Sequence, residues 1–535
     1  MNSAWSRRKF LAWTGLAPFS LVVPSSSSFA ARKDRSEKKP NILFCIADDA
    51  SYPHMGAYGC PWINTPGFDR VANEGILFTH AYTPNAKCAP SRACILTGRN
   101  SWQLEEAANH WCFFPEKFKT YPEVLVEHGY HVGYTAKGWA PGVPGTINGQ
   151  KRLLTGKAYD TRKTVPPTRA INKNDYAANF QDFLDDKPDG VPFCFWYGST
   201  EPHRAYEYES GIRKGGKNTA QIDKVFSFWP DNETVRTDML DYAFEIEYFD
   251  LHLQKMMALL EERGELDNTL IVVTADNGMP FPRIKGQEYE YSNHLPLAIM
   301  WKQGIQKSGR IVDDYVSFID FAPTFLELAG IQEKQSGMQS IAGRNLSDIL
   351  YSKKSGRVNR KRDHVLIGKE RHDIGRPNDW GYPIRGIVKD DFLYLHNFEP
   401  ARWPAGNPET GYLNADGSPT KTECVQARNN PDLHHYWQWN LGKRPAEELY
   451  NVKEDPDCMK NLAETNQYKD LKTKLKEQLF VELKKQQDPR MDKKGTVFDR
   501  YPYADPNWQG FYEKRMNGDQ RLPGWINKTD FDENN

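Results

Sequence analysis

An excess of charge of either sign is missing from this chain. Its 535 residues carry 70 Lys and Arg against 70 Asp and Glu, for no net formal charge. Bulk electrostatics therefore gives no reason to expect nucleic acid or an anionic membrane surface as a partner. Cysteine is sparse. The eight, at positions 45, 60, 88, 94, 112, 194, 424 and 458, contain no CxxC pair, so neither a zinc cluster nor a disulfide framework is indicated. Cys45 and Cys194 fall inside apolar runs and read as core thiols. Long hydrophobic runs are absent as well. The apolar stretch at 12–23 is too short to span a bilayer and no other segment is apolar enough, so no stable membrane insertion is expected. There is no internal repeat.

What is present begins with Ser6-Arg7-Arg8-Lys9-Phe10-Leu11, the weakly apolar stretch that follows, and the small-x-small triplet Ser28-Phe29-Ala30. Together they read as a twin-arginine signal over residues 1–30, with a charged linker at 31–39. A periplasmic or secreted protein handled by the twin-arginine export machinery is expected. That route carries folded proteins, which permits a cofactor to be installed beforehand. Aromatics are plentiful, with 15 Trp, 26 Tyr and 27 Phe; they suit stacking on sugar faces and core filling alike.

From Pro40, apolar strand-like runs at 42–47, 131–135, 193–198 and 270–274 alternate with helical patterns. This predicts an α/β domain with a largely parallel sheet. Ala243, Ile246, Phe249, Leu253, Met256 and Leu260 at helical spacing predict a helix over 237–262. Near residue 355 the texture changes, dividing the chain into a domain at 40–355 and a smaller α+β region at 356–535. In the latter, 364–368 and 384–395 read as antiparallel strands, 400–431 as a Pro/Gly/Asn-rich stretch, 462–485 as an amphipathic helix, and the last fifty residues as a surface wrap.

Each of the four runs is followed by residues that can do chemistry: Asp48-Asp49, Lys137, Glu201-Pro202-His203-Arg204 and Asp276-Asn277-Gly278. Parallel strands would bring all four groups to one crevice, because open α/β sheets bind ligands at their carboxyl ends. Asp48, Asp49, Asp276 and Asn277 offer only oxygens, the donors preferred by Ca²⁺ or Mg²⁺ rather than zinc. Taken singly, Asp-Asp or Asp-Asn-Gly is a common turn or cap. Cys88-Ala89-Pro90-Ser91-Arg92 adds a cysteine beside a helix start, since Pro90 suits the first turn. Anions are favoured there.

That pentapeptide, running on into Ala93-Cys94-Ile95-Leu96-Thr97-Gly98-Arg99, resembles the signature of type I sulfatases. So do Asn41-Ile42-Leu43-Phe44-Cys45-Ile46-Ala47-Asp48-Asp49 and Thr274-Ala275-Asp276-Asn277-Gly278. The resemblance covers most of the chain after residue 40 and is nearest to the heparan N-sulfatases (N-sulfoglucosamine sulfohydrolases). It rests there on Pro202-His203-Arg204, Met279-Pro280-Phe281-Pro282, Tyr382-Pro383-Ile384-Arg385 and Asp432-Leu433-His434-His435-Tyr436.

The resemblance implies an alkaline-phosphatase-like α/β domain and a smaller C-terminal domain on a four-stranded antiparallel sheet. It implies a sulfated saccharide substrate. It also implies that a formylglycine-generating enzyme oxidises Cys88 to formylglycine, whose hydrate carries two hydroxyls on one carbon. By the same resemblance, Asp48, Asp49, Asp276, Asn277 and the modified Cys88 hold Ca²⁺, and Arg92 orients the hydrate. Lys137, His203 and Lys285 bind the sulfate, and His203 or Lys285 protonates the leaving group.

One departure stands out. Sulfatases usually read Gly-Lys-x-His, whereas this chain has Lys137-Gly138-Trp139. Either another base serves, with His54 and His110 as candidates, or Trp139 marks a changed pocket. Substrate-reading candidates in the C-terminal region are His372, Arg376, Arg385 and His435. The alternatives are an O-sulfatase on another glycan, a formylglycine-dependent phosphodiester or phosphonate hydrolase, and an exported glycan-binding protein with a decayed site. Direct attack by Cys88 as a thiol would leave the metal-binding carboxylates without a purpose.

Overall fold

All four apolar runs form strands, and they lie side by side. The computed structural model describes residues 39–531; the export-signal reading over 1–30 and all but the last residue of the 31–39 linker fall outside the described residues. An eight-stranded sheet runs in the order Arg310–Val312, Ile76–Phe78, Leu297–Met300, Thr269–Ala275, Asn41–Ala47, Phe193–Gly198, His131–Ala136, Lys157–Ala158. The Asn41–Ala47 strand pairs parallel with both Phe193–Gly198 and Thr269–Ala275. Phe193–Gly198 in turn pairs parallel with His131–Ala136. Leu297–Met300 is antiparallel to its neighbours, which makes the sheet mixed but mostly parallel.

The central strands read as unbroken apolar runs because both faces are covered. Leu43, Cys45, Phe193, Phe195, Ile271 and Val273 enter one core layer with Met239, Ile246, Phe249 and Leu253 of the helix Glu233–Glu262. Ile42, Phe44, Ile46, Cys194, Trp196 and Val272 enter the other, with Ala89, Ala93 and Ile95 of the helix Cys88–Thr97. Cys45 and Cys194 are thus core thiols, and every cysteine is free. The long helix starts at Glu233, four residues before the periodicity predicts, because the Asn232 side chain accepts the Val235 N–H at 3.0 Å and caps it.

The smaller sheet is antiparallel and four-stranded, in the order His364–Lys369, Ile384–Lys389, Phe392–Asn397, Glu447–Asn451. One face packs Leu366, Ile387, Tyr394 and Leu449 against Leu475, Leu479 and Leu483 of the helix Lys469–Lys485. Burying each such leucine contributes roughly 1.5–3 kcal/mol. The other face meets Tyr82, Tyr289 and Tyr315 from the preceding region. The helix expected over 462–485 begins at Lys469, and it is not the last, since short helices follow at Val497–Arg500 and Phe511–Met516. Asn461 takes the Leu449 and Ala463 N–H groups on its side-chain oxygen and lays the chain flat along the sheet edge first.

Candidate active site

The register fixes where the chemistry collects. Ala47 stands opposite Ala275, and Gly198 opposite Ala136, so Asp48, Asp276, Lys137 and the segment beginning at Ser199 leave the sheet at one edge. Asp48 N–H donates to the Glu201 carbonyl at 3.0 Å and Asp276 N–H to the Ala47 carbonyl at 3.1 Å. Asp49 adopts φ +79°, in the left-handed region that aspartate tolerates better than most residues. Its N–H donates to Asp276 Oδ1 at 3.1 Å.

Cys88 is the first residue of its helix, with Pro90 in the first turn. The pentapeptide is tied to the strand ends by its own side chains. Ser91 Oγ donates to the Asp276 carbonyl at 2.5 Å. Arg92 Nε donates to Asp276 Oδ2 at 2.8 Å, and Nη1 to the carbonyls of Lys137 and Gly138 at 2.7 and 2.9 Å. Cys88 Sγ then lies 3.4 Å from Asp48 Oδ1 and 3.8 Å from Asp49 Oδ1.

Two lysines flank the carboxylates. Lys137 Nζ donates to both oxygens of Asp48 at 2.7 and 2.6 Å. Lys285 Nζ donates to Asp49 Oδ2 and Asp416 Oδ2, each at 2.7 Å. His203 Nε2 stands 3.9 Å from Asp49 Oδ2, and with its side chain 32% exposed it is the solvent-facing member of the group. Its Nδ1 lies 2.6 Å from the Arg204 carbonyl, an acceptor only, so Nδ1 carries a proton. Arg204 anchors this loop, bonding both oxygens of Asp238 on the long helix and the Pro280 carbonyl. Pro202-His203-Arg204 and Met279-Pro280-Phe281 are therefore joined in space.

The electrostatics follow from burial among mixed charges. Burial, and the neighbouring Asp49, would raise the Asp48 pKa, but Lys137, His203 and Arg92 together outweigh them and hold it at about 2. Asp276 is pushed up by burial, which Arg92 only partly offsets. Burial and then the Asp48 carboxylate push the Cys88 thiol well above its ordinary value. In this setting Cys88 is a thiol, not a thiolate, and a poor direct nucleophile.

The remaining candidates separate. Trp139 is buried, its indole N–H donates to the Ala89 carbonyl at 3.1 Å, and its ring meets Phe114 edge-on; it braces the first turn of the Cys88 helix. His54 packs among Trp62, Phe226 and Tyr242, its pKa pushed down to about 3 by burial. His110 Nδ1 pairs with Asp373 at 3.1 Å, and Asp373 also takes Lys87, the residue before Cys88, at 2.8 Å. His372 Nε2 meets Asn85 Oδ1 at 2.7 Å. Arg376 donates to the carbonyls of Trp403 and Pro404, and Arg385 is locked in an ion cluster of the small sheet. His435 packs tilted against the Tyr436 ring and edge-on to Trp439.

Sequence reasoning missed Asp416. Asn414-Ala415-Asp416-Gly417 reads as one more turn in a Pro/Gly/Asn-rich stretch, and no periodicity points it toward the strand ends. Also missed was the Lys87–Asp373 pair beside Cys88.

The donor set suits a hard cation. Ligand atoms of Asp48, Asp49, Cys88 and Asp276 all lie within 4.8 Å of one another. Asn277 Nδ2 donates to Asp49 Oδ1 at 2.7 Å, while Asn277 Oδ1 is buried without a hydrogen-bond partner. A buried amide oxygen left unpaired beside three carboxylates is the arrangement an oxygen-ligated metal satisfies.

The sulfatase family model matches residues 40–331, more than half the chain and all four strand ends. The chain belongs to the sulfatase family. It is a hydrolase of that family, with a buried Asp/Cys cluster able to hold a metal. An ulvan-active sulfatase of Formosa agariphila is 25% identical over 83% of this chain and 74% of its own. The N-acetylglucosamine-6-O-sulfatase of Bacteroides thetaiotaomicron is 24% identical over 90% and 93%. The human N-sulphoglucosamine sulphohydrolase is 24% identical over 82% and 89%. A solved structure in complex with its substrate D-glucosamine-2-N,6-O-disulfate shares the fold at TM-score 0.62 and 20% identity, covering 85% of this chain and 100% of its own. The alkaline-phosphatase-like architecture expected from sequence, with its four-stranded C-terminal sheet, is the one observed.

Proposed function

We propose that this sulfatase removes sulfate from a sulfated glycan, with residue 88 present as formylglycine and calcium held by Asp48, Asp49, Asp276, Asn277 and residue 88. The observation that carries the reading is the convergence of Cys88 Sγ on Asp48 and Asp49 at 3.4 and 3.8 Å. When present, formylglycine supplies an aldehyde hydrate with two oxygens on one carbon, and calcium supplies Lewis acidity beside it.

The chain's own residues do the rest. Lys137 and Lys285, on either side of the carboxylates, donate to the sulfate oxygens and stabilise charge there. Arg92 fixes Asp276 against the Cys88 helix. His203 faces solvent, where the sugar enters, and moves a proton at Nε2 to the leaving atom, a role typically worth about 10²–10⁴-fold.

Among glycans, N-sulfoglucosamine is the finer proposal. It is supported by the human sulphohydrolase among the relatives and by the Pro202–Arg204 and Tyr382–Arg385 segments. O-sulfated sugars are the second reading, favoured by the N-acetylglucosamine-6-O-sulfatase among the relatives and by Trp139 standing where the family has histidine. The twin-arginine pattern supports export to the periplasm or beyond, after a formylglycine-generating enzyme has acted. Residues 40–355 would then form the catalytic domain and 356–535 a substrate-framing one. Peptide mass spectrometry of active enzyme tests the central point: residue 88 should be an aldehyde or its hydrate. A free thiol at 88 in fully active protein overturns it.

A further inference from the structure

Lys285 is held from two directions. Its ammonium lies 2.7 Å from Asp49 Oδ2 and 2.7 Å from Asp416 Oδ2, and all three side chains are buried. Asp49 follows the first strand and Lys285 the fourth, whereas Asp416 comes from the irregular C-terminal stretch. That stretch is fixed where it meets the site. Asn414 N–H donates to the Ala405 carbonyl, Ala415 N–H to the Tyr412 carbonyl, and Gly417 N–H to the Trp525 carbonyl. Lys421 Nζ donates to the Ala415 carbonyl at 2.7 Å. The peptide at Asn414 also presses on Gly286, where an added Cβ would come within 2.8 Å of the Asn414 oxygen at φ +75°. Only glycine suits residue 286 there, so Lys285 and Asp416 are brought together by backbone contact as well as by charge. Asp49, His203 and Asp416 also offer ligand atoms within 4.8 Å of one another, which puts the Asp416 carboxylate at the edge of the site.

We infer that Asp416 is a positioning residue: it holds the Lys285 ammonium so that Asp49 is free to serve as a metal ligand. The inference rests on the calcium reading above. A lysine with Asp49 as its sole carboxylate partner would concentrate its charge on a metal ligand, and a cation would have to displace it. With Asp416 in place, Lys285 keeps a buried counter-charge when Asp49 turns to the metal, and it stays where it can meet sulfate. The effect is transmitted through Lys285 and not by attraction between Asp416 and the cation.

Calorimetric calcium titration of the metal-stripped full chain tests this in a double-mutant cycle. Asp416→Asn should weaken calcium binding by about tenfold, Asp416→Glu should recover most of it, and Asp416→Asn in a Lys285→Met background should change it by less than about twofold. The double variant removes one charge of each sign and costs less stability than removing either partner of the buried pair alone. Equal calcium affinity in wild type and Asp416→Asn overturns the role of Asp416 alone. A loss that persists undiminished in the Lys285→Met background also overturns it, because Asp416 then acts on the cation directly. Wild-type protein that takes up no calcium overturns the metal reading and this inference with it.

Discussion

Two buried arginines in this molecule have opposite surroundings. Arg385 of the small sheet spends every donor: Nε and Nη2 on Asp488, Nη2 on Glu370 at 2.7 Å, and Nη1 on the carbonyls of Lys369 and Ile384. Arg490 adds a second cation to Glu370, and Trp102 covers the guanidinium. Arg92 at the strand ends is as deeply buried, yet its Nη2 has no hydrogen-bond partner and lies 3.5 Å from Asp48 Oδ1. Asn277 Oδ1, next in sequence to the Asp276 that Arg92 binds, is unpaired too. One cluster is closed and holds two segments together. The other is left with spare hydrogen-bonding capacity in a place where burial makes that costly. Of these two arginine clusters, the one at the strand ends keeps unspent polar capacity and the one in the small sheet does not.

The sharpest way to break that contrast is to remove the residue proposed to react. Cys88→Ala should lower sulfate release by roughly a thousandfold or more, while the urea midpoint stays near that of wild type, since only a small buried group is lost. An active Cys88→Ala enzyme would end the distinction. Next, Arg92→Met and Arg385→Met should both destabilise, since each strands buried carboxylates, by roughly 3–5 kcal/mol in urea unfolding. They should part in kcat: a fall of roughly 10²-fold for Arg92→Met, and about the wild-type value for folded Arg385→Met. A kcat loss of the same size in both would make the closed cluster part of the site.

The smallest effect is a pH dependence in the small sheet. His364 places Nδ1 2.7 Å from Asp363 and Nε2 2.9 Å from Glu482. Burial would lower its pKa, but the two carboxylates outweigh that and raise it above 6.5. A raised histidine pKa stabilises fully below the unfolded value and loses that contribution as pH rises through the folded one. Asp363, held at about 2, stays ionised throughout that window. The stability gap between wild type and His364→Gln should therefore be largest near pH 6 and shrink toward pH 9, by at most on the order of 1 kcal/mol. A gap that widens with pH would contradict the assignment.

What the sequence made legible follows the same division. Strands buried on both faces must be apolar throughout, so the runs ending at Asp48, the Ser199 segment and Asp276 stand out; the run ending at Lys137 is half-buried and mixed in character, and the parallel rule gathers all four ends. Pro90 marks the start of the Cys88 helix for a local reason. The strands Ile76–Phe78 and Lys157–Ala158 are too short to show a period. Asp416 reaches the site only through long-range contacts with Lys285 and Gly286, so nothing in its neighbours announces it. Arg385, a candidate to read substrate, has its donors consumed by residues far along the chain, Asp488 among them. Local pattern reveals what a residue is built into; it does not reveal what a distant segment brings to meet it.

The most direct test is sulfate release by the purified enzyme from N-sulfoglucosamine and from 6-O-, 3-O- and 2-O-sulfated sugars, before and after exhaustive chelation and calcium re-addition. The account predicts release from at least one of these sugars, N-sulfoglucosamine foremost, lost on chelation, restored by calcium, and absent throughout in Cys88→Ala. Undiminished release from a fully chelated enzyme, or from Cys88→Ala, would contradict it.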